Sequence, residues 1–154
     1  MRDEAKLRIE VTKTVRGAPP ATLIKEVLAR AATVPEITAR LAPAGSSVAV
    51  RLTSDAELHR LNRVYAGEDH PTDVLSFAGE GEHLGDIAIS WPATVRQAKE
   101  YGHPETTELA LLAVHGLLHL AGWDHASTGG RKEMTRLTVV ALKASAIKLA
   151  SGRL

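Results

Sequence analysis

Hydrophobic and polar residues alternate in two early segments of the chain, which is the period-two pattern of half-buried β-strands. The apolar positions are Leu7, Ile9 and Val11 in the first segment and Val48, Val50 and Leu52 in the second. Two short apolar segments farther along, VLSFA and GDIAIS, follow polar residues and predict a third and a fourth strand. The chain is therefore expected to contain about four strands.

Helical spacing of apolar residues predicts about five helices among and after these strands. The first covers ATLIKEVLARAA, behind the turn residues GAPP, and its apolar face is Leu23, Ile24, Val27, Leu28 and Ala31. In the second, Ser54 and Glu57 form an S-x-x-E capping box ahead of the apolar positions Leu58, Leu61 and Tyr65. Gly67 is placed to end this helix in a left-handed conformation.

Three further helices are predicted in the second half of the chain. Ser90 and Gly102 bracket one of them, from about Trp91 to Tyr101. The next begins with the acidic residues Glu105 and Glu108, and its middle, LALLAV, is apolar on all sides, which indicates burial. A final amphipathic helix follows ASTGG, with apolar positions Met134, Leu137, Val140, Ala144 and Ile147.

The composition is that of an ordinary globular protein, with 44% hydrophobic and 24% charged residues among 154. We expect one α/β (α+β) domain covering residues 1–154. The net charge of +1 favours no class of partner, and the absence of cysteine excludes disulfides and thiolate ligands. No apolar run is long enough to span a bilayer and the amino terminus has no continuous apolar region, so a cytoplasmic location without membrane contact is expected.

Three histidines occur within HGLLHLAGWDH, residues 115–125. His115 and His119 lie four positions apart on a helix, so both side chains leave the same face and can bind one ion. Gly122 then ends the helix and lets the chain fold back, so that His125 can reach the same ion. The spacing predicts a metal centre at the end of a buried central helix.

Three neutral imidazoles suit zinc, and water in the fourth position is typical of a catalytic site. The spacing leaves two alternatives open: histidines without a metal, and a structural site closed by Asp124, Asp86 or His103. Asp124, beside the third histidine, is also a candidate to orient a ligand or to relay a proton. The histidines without comparable spacing, expected to be ordinary surface residues, are His59, His70 and His83.

The motif also reproduces the ligand spacing of the metzincin peptidases, H-x-x-x-H-x-x-G-x-x-H. Their catalytic glutamate is missing, because Gly116 follows the first histidine. Peptide cleavage needs that glutamate to protonate the departing amine. In an open zinc site the metal-bound water, which can ionise near neutral pH, is then the main reactive group.

Three ordered segments, LNRVYAGEDHPTDVLSF, GDIAIS and YGHPETTELALLAVHGLLHLAGWDH, followed by Met134, closely resemble the YbeY family of metal-dependent endoribonucleases. The resemblance extends from about Leu52 to the last helix. It implies a small mixed sheet, zinc at His115, His119 and His125, and single-stranded RNA as substrate. It also implies a role in maturation of the 3′ end of small-subunit ribosomal RNA and in ribosome quality control, with the ribosome or its associated proteins as partners.

One position departs from the family pattern. Members typically read Y-R-G ahead of P-T-D-V-L-S-F, with the arginine working in the RNA groove, whereas this chain has Ala66. Arg60 and Arg63 are candidates to supply the positive charge, or are solvated helix residues. Three other residues match positions of the family motifs: Asp73, Ser76 and Asp86. Strand or turn structure could explain each of them as well as chemistry could. A zinc-containing, non-catalytic ribosome-associated factor therefore stays open as a second function, with a zinc peptidase as the less favoured third.

Overall fold

A computed structural model describes residues 7–154 and contains four strands and six helices in that range. The strands are β1 (Leu7–Lys13), β2 (Ser46–Thr53), β3 (Val74–Ala78) and β4 (His83–Ser90). The helices are α1 (Ala21–Ala31), α2 (Pro35–Thr38), α3 (Asp55–Leu61), α4 (Trp91–Tyr101), α5 (Glu105–Leu120) and α6 (Thr128–Lys143). A π-helical turn, Asn62–Ala66, continues α3.

The strands form one mixed sheet in the order β1-β2-β4-β3. β1, β2 and β4 run parallel, and β3 pairs antiparallel with β4 at one edge. Parallel neighbours require a crossover, and α1 with α2 supplies it between β1 and β2. The structure confirms the predicted α+β fold with a four-stranded mixed sheet.

The apolar positions of the central strands face the core. Val48, Val50 and Leu52 of β2 are at most 1% exposed, and so are Ile87 and Ile89 of β4. The apolar middle of α5 is buried on all sides and packs within the same core, as its sequence predicts. α5 is therefore the central helix of the molecule, and its carboxyl end is the part that leaves the core.

Local signals fix the ends of several elements. The Ser54 hydroxyl accepts a hydrogen bond from the Glu57 backbone N–H at 3.2 Å, and Ser90 accepts one from Ala93 at 3.1 Å, so both predicted N-caps are confirmed. Gly67 has the predicted left-handed conformation with φ 72°. Tyr65, however, is 67% exposed, because the π-helical turn carries it away from the core face of α3.

The last helix ends earlier than the sequence suggests. Its buried residues are Met134, Leu137, Thr138, Ala141 and Leu142. Val140 and Ala144 are exposed, and Ile147 lies beyond the helix. Backbone N–H groups of Ala146 and Ile147 return to the carbonyls of Lys143 and Leu142 at 2.9 and 3.0 Å, which closes the helix with a left-handed residue.

One helix of the structure, α2, was not predicted. Helix α2 has only four residues, which is too short to produce a helical repeat in the sequence. Within residues 7–154, none of the helices combines the length and apolar character that crossing a bilayer requires.

Candidate metal centre

The end of α5 brings the three histidines of the motif together. His115 and His119 lie on its last turns, and Gly122 follows with φ 103°. The Gly122 and Trp123 N–H groups donate to the carbonyls of His119 and Leu118, each at 3.0 Å, which satisfies the helix end while the chain turns back. This turn places His125 beside the two helical histidines, as the sequence predicts.

The three imidazole rings face a common point. Their ring centroids are 4.8 to 4.9 Å apart in each pair, and one nitrogen from each ring lies within 4.8 Å of the others. His115 and His119 are half-buried and His125 is exposed. No residue from 7 to 154 forms a hydrogen bond with these rings, so their nitrogens are available to a ligand. Three imidazole donors at this separation fit a single metal ion.

The environment of the rings favours the neutral form that binds metals. Burial first, and then the nearby charges of His119, His125 and Arg153, lower the pKa of His115 to about 4. Burial and the charge of His125 also lower the pKa of His119, with Asp124 acting in the opposite direction. At neutral pH both helical histidines therefore present an unprotonated nitrogen.

A cleft of about 420 Å³ opens beside His115 and His119. Its other wall is β3 with the residues before it, and the lining set is Thr72, Asp73, Val74, Ser76, Ala78, His115, His119 and Leu120. The Ser76 hydroxyl donates to the Gly116 carbonyl at 3.2 Å and so ties the edge strand to α5. Asp73 is the only carboxylate among these eight residues.

Gly116 is required by packing. A Cβ atom built at this position would lie 2.8 Å from Cγ2 of Ile87 on β4, closer than carbon atoms can approach without a shift. A glutamate side chain at residue 116 would therefore start inside the contact between α5 and the sheet. The glutamate of the peptidase motif has no room at this position.

The residues considered as a fourth ligand have other partners. Asp124 accepts a hydrogen bond from the Ala126 N–H at 2.9 Å and shapes the loop that carries His125. Asp86 lies 3.1 Å from Nε2 of His83. Nε2 of His103 lies 2.7 Å from Glu108, while its Nδ1 accepts the Ala150 N–H at 3.0 Å. Within residues 7–154, the group of side chains that meets around one point consists of the three histidines.

A buried carboxylate lies near the first turn of α5, and its role could not be seen in the sequence. Glu108 is completely buried and receives two hydrogen bonds from Arg153, at 3.0 and 2.7 Å, and one each from His103 and Gln97. Gln97 also donates to Oδ2 of Asp73 at 3.2 Å, so this network reaches the wall of the cleft.

An arginine supports the loop between His119 and His125. The guanidinium of Arg40 lies 3.7 Å from the ring centroid of Trp123 and donates to the Ala121 carbonyl at 3.1 Å. Arg40 lies just after α2, about eighty positions before its partners. Neither spacing nor composition gives a signal for this contact.

The basic residues near Ala66 have different surroundings. Arg60 donates two hydrogen bonds to Glu57, each at 2.7 Å, so its charge is paired. Arg63 and Ala66 are exposed on the π-helical turn. All three histidines expected at the surface pair with a nearby acid: His59 contacts Asp69, His70 contacts Glu68 and His83 contacts Asp86. His70 is exposed and His59 is half-buried. His83 is half-buried at the start of β4, where its Nδ1 lies 2.8 Å from the Ser47 hydroxyl.

Fold and site together define a class of protein: a single α+β unit around a mixed sheet, with three helix-associated histidines arranged to hold one metal ion beside an open cleft. A family of known proteins matches this chain in sequence. The profile of the family described as "Endoribonuclease YbeY" matches residues 9–146.

Curated relatives with that same name agree over most of the chain. The one from Roseiflexus castenholzii is 40% identical over 80% of this chain and 82% of its own length. A relative from Chloroflexus aurantiacus is 48% identical over 68% of this chain and 75% of its own. Another, from Chloroflexus aggregans, is 54% identical over 58% of this chain and 66% of its own.

A solved structure confirms the fold. The solution structure of a protein from Thermotoga maritima superimposes with a TM-score of 0.61 over 90% of this chain and 91% of that one, at 24% identity. This chain belongs to the endoribonuclease YbeY family. It is accordingly an enzyme of the nuclease class of hydrolases.

Proposed function

We propose that this protein is a zinc-dependent endoribonuclease that cleaves single-stranded RNA. It acts in maturation of the 3′ end of small-subunit ribosomal RNA and in ribosome quality control, in the bacterial cytoplasm and in contact with the ribosome or its proteins. The observation that carries the proposal is the convergence of His115, His119 and His125 beside a cleft of about 420 Å³. Family membership supports RNA as the substrate.

The chain's own residues account for binding and orientation. His115, His119 and His125 would each hold the ion through one ring nitrogen. A bound zinc ion supplies a Lewis acid for the phosphate and makes hydroxide available near neutral pH. The Ser76–Gly116 hydrogen bond keeps the cleft wall in place, and the amide of Asn62 donates to the His70 carbonyl at 2.9 Å to fix the chain before β3. Asp124 shapes the histidine loop and acts on the charge of His119, which supports a role in orienting the ligands.

A second candidate is a zinc-containing ribosome-associated factor that binds RNA without cleaving it. The observation in its favour is Ala66, which stands where the family carries an arginine. A zinc peptidase is less favoured, because the packing of Gly116 against Ile87 excludes the glutamate that such an enzyme needs.

The test combines metal analysis with RNA cleavage on one preparation. We expect one zinc per chain and cleavage of a single-stranded RNA that is lost with a chelator and restored by zinc. His119→Ala, purified in parallel, controls for contaminating ribonucleases. Removing one ligand should raise the zinc dissociation constant by about 10²–10³-fold, since a four-ligand zinc site binds with about 10–16 kcal/mol in total, or about 2.5–4 kcal/mol per ligand.

The outcomes separate the candidates. Cleavage by His119→Ala at the parent's rate would show that the metal mechanism is wrong. Cleavage by an Ala66→Arg variant alone would show that the native protein is an RNA binder. Casein cleavage that depends on zinc would indicate a peptidase. Product ends identify the nucleophile: cyclic phosphate termini indicate the 2′-hydroxyl, and 5′-phosphates without them indicate water.

A further inference from the structure

Asp73 lines the cleft beside the histidines. It is the carboxylate among the eight lining residues, which also include His115 and His119. Its Oδ2 atom accepts the hydrogen bond from Gln97 at 3.2 Å. Within residues 7–154 no hydrogen bond is described to Oδ1, so this oxygen is available to a bound molecule.

A network of hydrogen bonds connects Asp73 to buried residues through Gln97. The same amide nitrogen of Gln97 donates to Glu108 at 2.9 Å, and Glu108 is fixed by two hydrogen bonds from Arg153 and one from His103. His103 accepts the Ala150 N–H at Nδ1, so its Nε2 is the nitrogen that carries hydrogen toward Glu108. The amide nitrogen of Gln97 therefore connects Asp73 to the completely buried Glu108, and these two hydrogen bonds orient the amide toward Asp73.

The packing of Gly116 against Ile87 excludes a carboxylate next to His115, so Asp73 is the carboxylate to consider in the cleft. A metal site of this spacing in a peptidase uses a glutamate beside the first histidine, and that position is closed here by Ile87. A carboxylate that serves the cleft must therefore come from another element. Asp73 comes from the residue directly before β3, on the opposite wall from α5.

We propose that Asp73 is a catalytic residue that accepts the proton of the attacking hydroxyl group, with Gln97 as its positioning residue. The inference rests on the proposed ribonuclease function. As the hydroxyl oxygen forms its bond to phosphorus, its proton moves to Oδ1 of Asp73 and the bond from phosphorus to the leaving 5′-oxygen breaks. That oxygen takes a proton from solvent water, and Asp73 gives its own proton to the hydroxide left behind.

The test compares Asp73→Ala and Asp73→Asn with the parent protein, all loaded with zinc. We expect kcat for single-stranded RNA to fall by about 10²–10⁴-fold in both variants, which is the usual contribution of a general base. The zinc dissociation constant and the binding of an uncleavable 2′-O-methyl RNA should stay within about twofold, because Asp73 lies outside the histidine group. Asp73→Asn keeps an oxygen for the Gln97 hydrogen bond and so protects the test against misfolding.

Rescue by a small carboxylate separates catalysis from structure. Formate should raise the activity of Asp73→Ala at least tenfold, because it can occupy the space of the missing side chain. It should not affect the parent. Asp69→Asn is the matched control: this exposed carboxylate contacts His59 and lies outside the cleft lining. Gln97→Leu should lower kcat about tenfold with KM unchanged and without a response to formate.

Three results would overturn the inference. Variants of Asp73 that cleave within threefold of the parent would show that this carboxylate takes no part in the reaction, while the proposed function stands. A zinc dissociation constant raised more than tenfold in Asp73→Asn would make Asp73 a metal ligand instead. A zinc-loaded parent that does not cleave RNA would overturn the proposed function itself, and the role of Asp73 with it.

Discussion

The two ends of α5 carry polar side chains with opposite surroundings. Near its first turn, Glu108 is completely buried, and four hydrogen bonds from three side chains satisfy both of its oxygens. At its last turns, His115 and His119 are only half-buried, and no described residue forms a hydrogen bond with their rings. Three imidazole nitrogens that converge beside a cleft and have no partner within residues 7–154 form a group that could hold an ion.

The comparison separates a structural role from a functional one. The Glu108 end joins three parts of the chain, because Arg153 lies 45 residues and Gln97 lies 11 residues away from the carboxylate. At the histidine end, the three rings all come from residues 115–125, and their nitrogens have no hydrogen-bond partner within residues 7–154. Stability is therefore expected to depend on the first end and metal binding on the second.

Glu108→Ala should have the largest effect on stability. Removing the carboxylate leaves Arg153 as a largely buried charge without its partner, and losing one member of a buried ion pair costs about 3–5 kcal/mol. The measurement is urea unfolding in the presence of a chelator. His119→Gln, at the other end of α5, should change the free energy of unfolding by less than about 1 kcal/mol under the same conditions. Equal losses in the two variants would contradict the division of roles.

The histidine end could be predicted because its residues are close in sequence and obey helix geometry. A separation of four positions puts His115 and His119 on one face, and Gly122 supplies the turn that returns His125. The four strands were likewise visible from their alternating or apolar segments.

The Glu108 end could not be predicted, because its partners come from distant parts of the chain. In the sequence Glu108 reads as an acid that favours the start of a helix. One signal was available: Glu108 lies seven positions before His115, and this spacing puts both on the same face of α5. The contact of Arg40 with Trp123 and the burial of Arg153 depend on tertiary packing, which no local pattern records.

The pH dependence of unfolding should come partly from the Glu108 end. Burial alone raises the pKa of Glu108, but the hydrogen bonds from Arg153 and His103, with the charge of Arg153, outweigh burial and hold the pKa below its usual value. The unfolded chain therefore takes up this proton first as the pH falls. The resulting stabilisation is present above about pH 4.3, the value of an unfolded glutamate, and is lost as the pH falls through the folded pKa.

Comparing the parent with Glu108→Gln isolates this contribution from that of the other paired carboxylates, among them Glu57 with a pKa of about 2. We expect the free energy of unfolding of the parent to fall more steeply below pH 4.5 than that of the variant. Parallel curves between pH 5 and 3 would mean that Glu108 has the same pKa in the folded and the unfolded chain, which would contradict the prediction.

Arg40→Ala should have the smallest effect of these changes. It tests whether a structural contact outside the histidine motif affects metal binding. Arg40 holds the turn after α5 through the Trp123 ring and the Ala121 carbonyl, so its loss frees the segment that carries His125. An exposed cation–π contact contributes about 0.5–1 kcal/mol, which corresponds to a zinc dissociation constant raised by up to about fivefold. Competition with a chromogenic chelator measures this change. Arg30→Ala, an exposed arginine of α1, serves as the control and should bind zinc like the parent. If the two variants bind zinc equally well, the loop holds His125 in place without the contacts of Arg40.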